Sequence, residues 1–163
     1  MSELIRRIAE MPVDGRQSQT ALTIARGTMR LLLSHGFTCV SELPLPSGRR
    51  ADLVGIGRSG EIWIVEIKSS IADFRSDQKW MDYRMHCDRL FFATTVEVPC
   101  DIFPKDTGLI VADGFGGDFV CDAPEHKVPA PTRTVMTLRV AQCASLRLQS
   151  LIDPAGPYGN EMG

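Results

Sequence analysis

Apolar positions in QSQTALTIARGTMRLLLSH (17–35) recur every three or four residues, at Leu22, Ala25, Met29, Leu32 and Leu33. This spacing predicts an amphipathic helix stopped at Gly36. The period then falls to two. FTCVSEL (37–43) reads as a strand ended by Pro44 and Pro46, and PSG (46–48) turns the chain into a second strand, RRADLVGIG (49–57). RSG (58–60) turns it again into EIWIVEIK (61–68). ADFRSDQKWMDYRMH (72–86) returns to helical spacing, with Phe74, Trp80 and Tyr83 turned toward the core or a site. DRLFFATTV (88–96) and TGLIVADG (107–114) are strands, GFGGDFV makes a hairpin, and a Pro-rich connector (123–131) leads to a last helix, Met136–Leu151. The order is helix, three-stranded antiparallel meander, helix, strand, strand, helix. It predicts an α/β fold in which one mixed sheet is flanked by helices. A single domain is expected over 1–151, with a frayed tail over 152–163 and no internal repeat.

Composition narrows this picture only a little. With 163 residues, 44% of them hydrophobic and 23% charged, the chain is long enough to bury one core. No apolar run approaches the ~20 residues that span a bilayer, and MSELIRRIAEMPVDG lacks the apolar stretch of a secretory signal. The five cysteines are odd in number and form no CxxC pair, as expected of reduced, mostly packed thiols. A cytoplasmic domain away from membranes is the expectation. The net charge of −2 argues against a nonspecific polyanion binder. Basic residues slightly outnumber acidic ones before position 90, and the reverse holds after it.

The chemistry gathers at the 49–68 hairpin. If 58–60 is a three-residue loop, Gly57 faces Glu61 and Asp52 faces Glu66, with Cβ atoms ~5 Å apart on one face. Lys68 points the same way. Val54, Ile56, Ile62 and Ile64 carry that face into an apolar region, so two carboxylates and one ammonium meet at one end of a greasy sheet. A one-residue slip would destroy the arrangement. Two carboxylates ~4 Å apart repel by roughly 4 kcal/mol at an effective dielectric of 20. Such oxygens at a semi-buried edge suit Mg²⁺ or Mn²⁺. Lys68 would then hold a phosphate oxygen or orient the attacking water. The alternative is that Glu66 and Lys68 finish a strand in solvent while Asp52 pairs with Arg49 or Arg50.

Asp52 followed by Glu66-Ile67-Lys68 after a short hairpin, with a helix on either side, resembles the PD-(D/E)xK nuclease superfamily. Residue 51 is Ala where the loose motif has Pro. More narrowly, GRRADLVGIG, IVEIKSSIADFRSDQKWMDYRMHCDRLFFA and GLIVADGFG resemble the MmcB-type DNA-repair proteins of bacteria, over most of residues 17–150. The resemblance implies a restriction-endonuclease-like fold, a role in DNA repair and Mg²⁺-dependent hydrolysis of DNA phosphodiesters. It implies Asp52, Glu66 and the Ile67 carbonyl as metal ligands and Lys68 as the catalytic lysine.

Two features depart from the superfamily pattern. Many of its nucleases place a further Glu on the first helix, but residues 17–35 hold no acid. Gln17 and Gln19 are weak substitutes. Glu42 either reaches the metal or is an exposed strand-end charge. Many relatives also carry a Gln and a Tyr one helical turn apart after the lysine. Here Lys79 and Tyr83 take that spacing, Lys79 as a phosphate contact and Trp80 as core. Arg50 shares the parity of Asp52 and is a second candidate phosphate contact, with an ion pair as its alternative. Asp73 is expected to cap its helix or to favour the helix dipole, and Asp77 to pair with Lys68 or Arg75. The rival to a nuclease is a module of the same fold that binds DNA or another repair protein without cutting. A homodimer stays open.

Overall fold

The computed structural model describes residues 7–8 and 17–157. One six-stranded sheet organises them, in chain order: β1 (Thr38–Pro44), β2 (Arg50–Ile56), β3 (Ile62–Ile67), β4 (Arg89–Thr94), β5 (Gly108–Ala112) and β6 (Gly117–Cys121). β1, β2 and β3 are antiparallel, β3, β4 and β5 run parallel, and β6 returns antiparallel. This is the flanked mixed α/β sheet that the sequence predicts, and its organisation is consistent with a restriction-endonuclease-like fold.

The register of the central hairpin follows from its turn. Gly57 N–H donates to the Glu61 carbonyl at 2.8 Å, closing a three-residue loop. Gly60 there takes φ of 83°, a backbone that side chains with a Cβ disfavour. Leu53 therefore faces Val65 and Val54 faces Ile64, which puts Asp52 opposite Glu66. Val54, Ile62 and Ile64 join Tyr83, Leu90 and Met136 in one core. Leu53, Val65, Phe91 and Ile110 point the other way, into a second core with the first helix.

That first helix, α1 (Gln19–Ser34), is capped by Ser18, whose Oγ accepts from Ala21 N–H at 3.1 Å. Its buried stripe is Ile24, Gly27, Thr28, Leu31 and Leu32, whereas the expected Leu22 and Leu33 are exposed. The cause lies at Gly27. A Cβ there would sit 1.9 Å from the Asp113 carbonyl oxygen and 2.4 Å from that of Gly116. The helix thus meets the β5–β6 turn backbone to backbone, through its smallest residue rather than its greasiest stripe.

The predicted helix over 72–86 is broken. A short α2 (Ile71–Ser76) ends at Asp77, whose backbone is extended, and a 3-10 helix follows over Trp80–His86. The Asp77 carboxylate accepts from Lys79 N–H at 2.9 Å and from the Lys68 ammonium at 2.7 Å. A side chain committed to these donors competes with helix continuation. The last helix, α3 (Ala130–Ile152), begins six residues before the predicted Met136, with Pro131 in its first turn. Proline fits there, because the N–H it lacks would have no partner. Of the expected tail, residues 153–157 follow α3 as a turn, and 158–163 lie outside the described residues. None of the described helices is long and apolar enough to cross a membrane.

Candidate active site

β3 is buried almost throughout, and Glu66 near its end is 3% exposed. Its Oε1 accepts from Asp52 N–H at 3.1 Å, while Asp52 Oδ2 accepts from Ile67 N–H at 2.7 Å. Each carboxylate thus reaches across to the other's strand. Burial first, and then the Asp52 charge, push the Glu66 carboxyl well above its ordinary range. Burial, followed by the Glu42 charge and opposed by the Ile67 N–H, pushes Asp52 up to about 6.

Lys68 sits beside this pair, 5% exposed, with its ammonium 2.7 Å from Asp77. Burial alone would pull its pKa down. The hydrogen bond and charge of Asp77, with the charges of Glu66 and Asp73, outweigh burial and raise it. The ammonium facing the carboxylate pair is therefore held charged by a third carboxylate. Asp73 accepts from Ser69 N–H at 2.9 Å, while Ser70 caps α2 through Asp73 N–H, so Asp73 supports the helix start rather than capping it alone.

Glu42 is neither exposed nor isolated. β1 and β2 pair Ser41 with Leu53 and Leu43 with Ala51, so Glu42 lies opposite Asp52 as Glu66 does on the other side. Three adjacent strands present a carboxylate in one row. Glu42 has φ of 53°, is buried, accepts from Gln17 Nε2 and is ion-paired with Arg50. Arg147 of α3 donates to the Ser41 carbonyl at 2.6 Å and contacts that of Glu42, holding this strained stretch from behind. The signal for Glu42 was present in the sequence, because the PSG turn closes by Leu45 N–H to the Arg49 carbonyl at 2.7 Å and so sets the facing residue. Arg147 left no comparable local sign.

One cavity of about 440 Å³ is walled by Asp52, Glu66, Lys68, Arg50, Lys79 and Tyr83, and Gln17 lines it too. Gln19 lies elsewhere, in a larger neighbouring cavity. Arg50 makes the ion pair that was its alternative, and Arg49 pairs with Asp82 rather than Asp52. Tyr83 is buried and donates to the Arg50 carbonyl at 3.2 Å. Burial, then the Glu66 and Asp52 charges, raise its pKa. Lys79 is exposed just before the 3-10 helix, so it and Tyr83 share the cavity without sharing an α-helical face. Trp80 packs edge-on against Phe92, as core.

The donor set suits a hard divalent cation. Two desolvated carboxylates face each other, each with one oxygen held by a backbone N–H and one left over. Among the described residues no three His, Cys, Asp or Glu side chains converge as a complete ligand set. Mg²⁺ tolerates this, since it commonly binds through one or two carboxylates plus waters and substrate phosphates.

A mixed sheet whose central hairpin ends in facing carboxylates and a buried lysine is consistent with a restriction-endonuclease-like fold. The chain belongs to the MmcB-like DNA repair protein family, whose model matches residues 9–155. A protein of unknown function from Silicibacter pomeroyi, SPO1766, superposes with a TM-score of 0.83 at 40% identity, over 90% of this chain and 99% of that one. A repair endonuclease from Pyrococcus abyssi aligns at 18% identity over 50% of this chain and 39% of that one, with a TM-score of 0.32. No curated protein matches the sequence.

Proposed function

We propose that this DNA-repair family member is a Mg²⁺- or Mn²⁺-dependent deoxyribonuclease, with Asp52, Glu66 and the Ile67 carbonyl as ligands and Lys68 as catalytic residue. The observation that carries the reading is the facing pair of desolvated carboxylates, Glu66 buried and Asp52 half-buried, both pushed up in pKa, beside a lysine already neutralised by Asp77. A fold gains nothing from such a pair unless positive charge arrives with a ligand. A cation bound there would supply that charge and polarise a phosphodiester.

The chain's own groups divide the remaining work. Lys68 is an ammonium, because Asp77 keeps its pKa high, so it donates to a phosphate oxygen or orients the attacking water and does not take the water's proton. Lys79 stands at the cavity mouth as a point charge for a neighbouring phosphate. Arg50 offers a half-exposed guanidinium whose other contact is Glu42. Tyr83 holds the β2 backbone through the Arg50 carbonyl.

The second reading, a DNA-binding module that does not cut, is favoured by the absence of a third converging ligand side chain among the described residues. A nuclease assay with Mn²⁺ or Mg²⁺ across single-stranded, duplex, flapped and branched DNA separates the two. Cleavage by wild type that Lys68→Ala loses supports the nuclease. DNA binding without cleavage, and without Mn²⁺ binding by calorimetry, supports the module.

A further inference from the structure

A second cavity, of about 960 Å³, opens beside the first and shares Ser69 with it. It lies at the carboxyl ends of β4 and β5, under the first turns of α1, a usual place for ligands in α/β sheets. Its lining differs from that of its neighbour. Gln19, Thr20 and Thr23 supply amide and hydroxyl groups, Glu97 and Asp118 supply carboxylates, and no described Lys or Arg lines it. The first cavity has Lys68, Lys79, Arg49 and Arg50 in its wall, among the carboxylates of Asp52, Glu66, Asp73 and Asp77. The second chamber thus repels phosphates, whereas the first sets Lys79 and Arg50 beside its carboxylates, where they can meet a phosphate. Groups rich in N–H donors and free of charge fit the second.

Two large apolar side chains stand exposed beside that chamber, Phe115 at 85% and Val96 at 82%. The turn carrying Phe115 is held firmly. Asp113 Oδ1 accepts from Phe115 N–H at 2.7 Å and Gly116 N–H at 3.0 Å, and Arg30 donates to the Phe115 carbonyl at 3.2 Å. The Gly27 backbone of α1 presses on the same turn. The aromatic ring is therefore presented to solvent by a fixed backbone, which suits stacking on a planar partner at small entropic cost.

We infer that this chamber receives an unpaired nucleobase of a single-stranded DNA segment, stacked on Phe115, while the strand's phosphates run through the adjoining carboxylate–lysine cavity. The inference rests on the proposed DNA-binding role of that cavity and adds the substrate class, single-stranded rather than fully paired DNA. Exocyclic amino groups of the base meet the carboxylate and amide acceptors. A continuous duplex keeps its bases stacked inside and presents none to the chamber.

The test is equilibrium binding in Ca²⁺, without turnover, of fluorescent oligonucleotides as single strand, blunt duplex and an abasic single strand of equal length. Wild type should prefer the single strand to the other two. Phe115→Ala should weaken single-strand binding about tenfold, within the range that loss of one base–aromatic stack gives, and leave duplex binding unchanged. Phe115→Tyr should restore it, and Lys79→Ala should weaken single strand and duplex alike. Equal wild-type affinity for single strand and duplex, an abasic strand bound as well as the normal one, or a Phe115→Ala loss shared by both substrates overturns the inference. Single-strand preference that depends on Phe115 in a protein that never cuts with Mn²⁺ would sink the nuclease and keep the base chamber. Cleavage indifferent to Phe115 would do the reverse.

Discussion

Strand β3 has a buried carboxylate site at each end, and the two are built on opposite principles. At its start, Asp88 is 1% exposed. Its two oxygens accept from Ile62 N–H at 2.7 Å, Val128 N–H at 3.0 Å and both terminal nitrogens of Arg133 at 2.7 Å each. Burial alone would raise its pKa, but Arg133 and the two backbone donors outweigh burial and hold the carboxyl below its usual range. At the far end, Asp52 and Glu66 each accept one backbone N–H and face each other, and both are raised. All three are desolvated, Asp88 and Glu66 fully and Asp52 in part. Compensation is what differs. The Asp88 site is finished without a ligand and joins β3, β4 and α3, whereas the Asp52–Glu66 site is left short of positive charge.

The comparison breaks most visibly at Asp88. Asp88→Ala orphans two backbone donors and the Arg133 guanidinium, so it should cost about 3–4 kcal/mol, or roughly 6–16 °C in melting temperature. Cleavage chemistry per folded molecule should be unchanged. A melting curve within a degree or two of wild type would show that the clamp is ornamental.

At the other end the change to look for is in chemistry, read per folded molecule. Lys68→Ala is expected to lower turnover about 100-fold, close to 2.7 kcal/mol of transition-state stabilisation, while Mn²⁺ binding and most DNA affinity persist. Unchanged cleavage by purified variant would assign the activity to a contaminant or to another site.

The two ends should also respond to pH with opposite sign. Asp88, depressed in the fold, contributes stability above the ordinary carboxyl pKa, and that contribution is lost as pH falls through its lower folded value. Asp52, raised to about 6, and Glu66, raised well above its norm, contribute stability at low pH that is lost as pH rises through their folded values. Metal-free protein should therefore weaken between mildly acidic and mildly alkaline pH, and divalent metal should restore it. At ten times its dissociation constant the metal adds about 1.4 kcal/mol. Asp52→Asn should melt no lower than wild type in chelator and should gain nothing from Mn²⁺. A variant that still gains would place the cation elsewhere.

The smallest effect sharpens the site's outer edge. Lys79→Ala should weaken DNA binding a few-fold and reduce the salt dependence of affinity by about one phosphate contact. An unaltered salt slope, measured by titration at several salt concentrations, would make Lys79 a solvated surface charge.

The facing of Asp52 and Glu66 is legible in the amino-acid sequence, and so is the burial of the face they share. Both depend on local rules: a three-residue turn sets the register, and side chains alternate along a strand. The order of the strands along the chain and the β5–β6 hairpin are legible for the same reason. Long-range competition decided the rest. Asp77 leaves the predicted helix because Lys68, nine residues away and buried, offers it a charge-assisted bond that helix continuation would forfeit. α1 turns Leu22 and Leu33 outward because Gly27 must meet the Asp113 and Gly116 carbonyls, a contact between segments that no window of the chain contains. Glu42 and Arg50 became partners, and Asp88 found Arg133 across 45 residues. Periodicity along one segment determines which face is apolar. Which charges share a desolvated space depends on segments that meet only once the chain has folded.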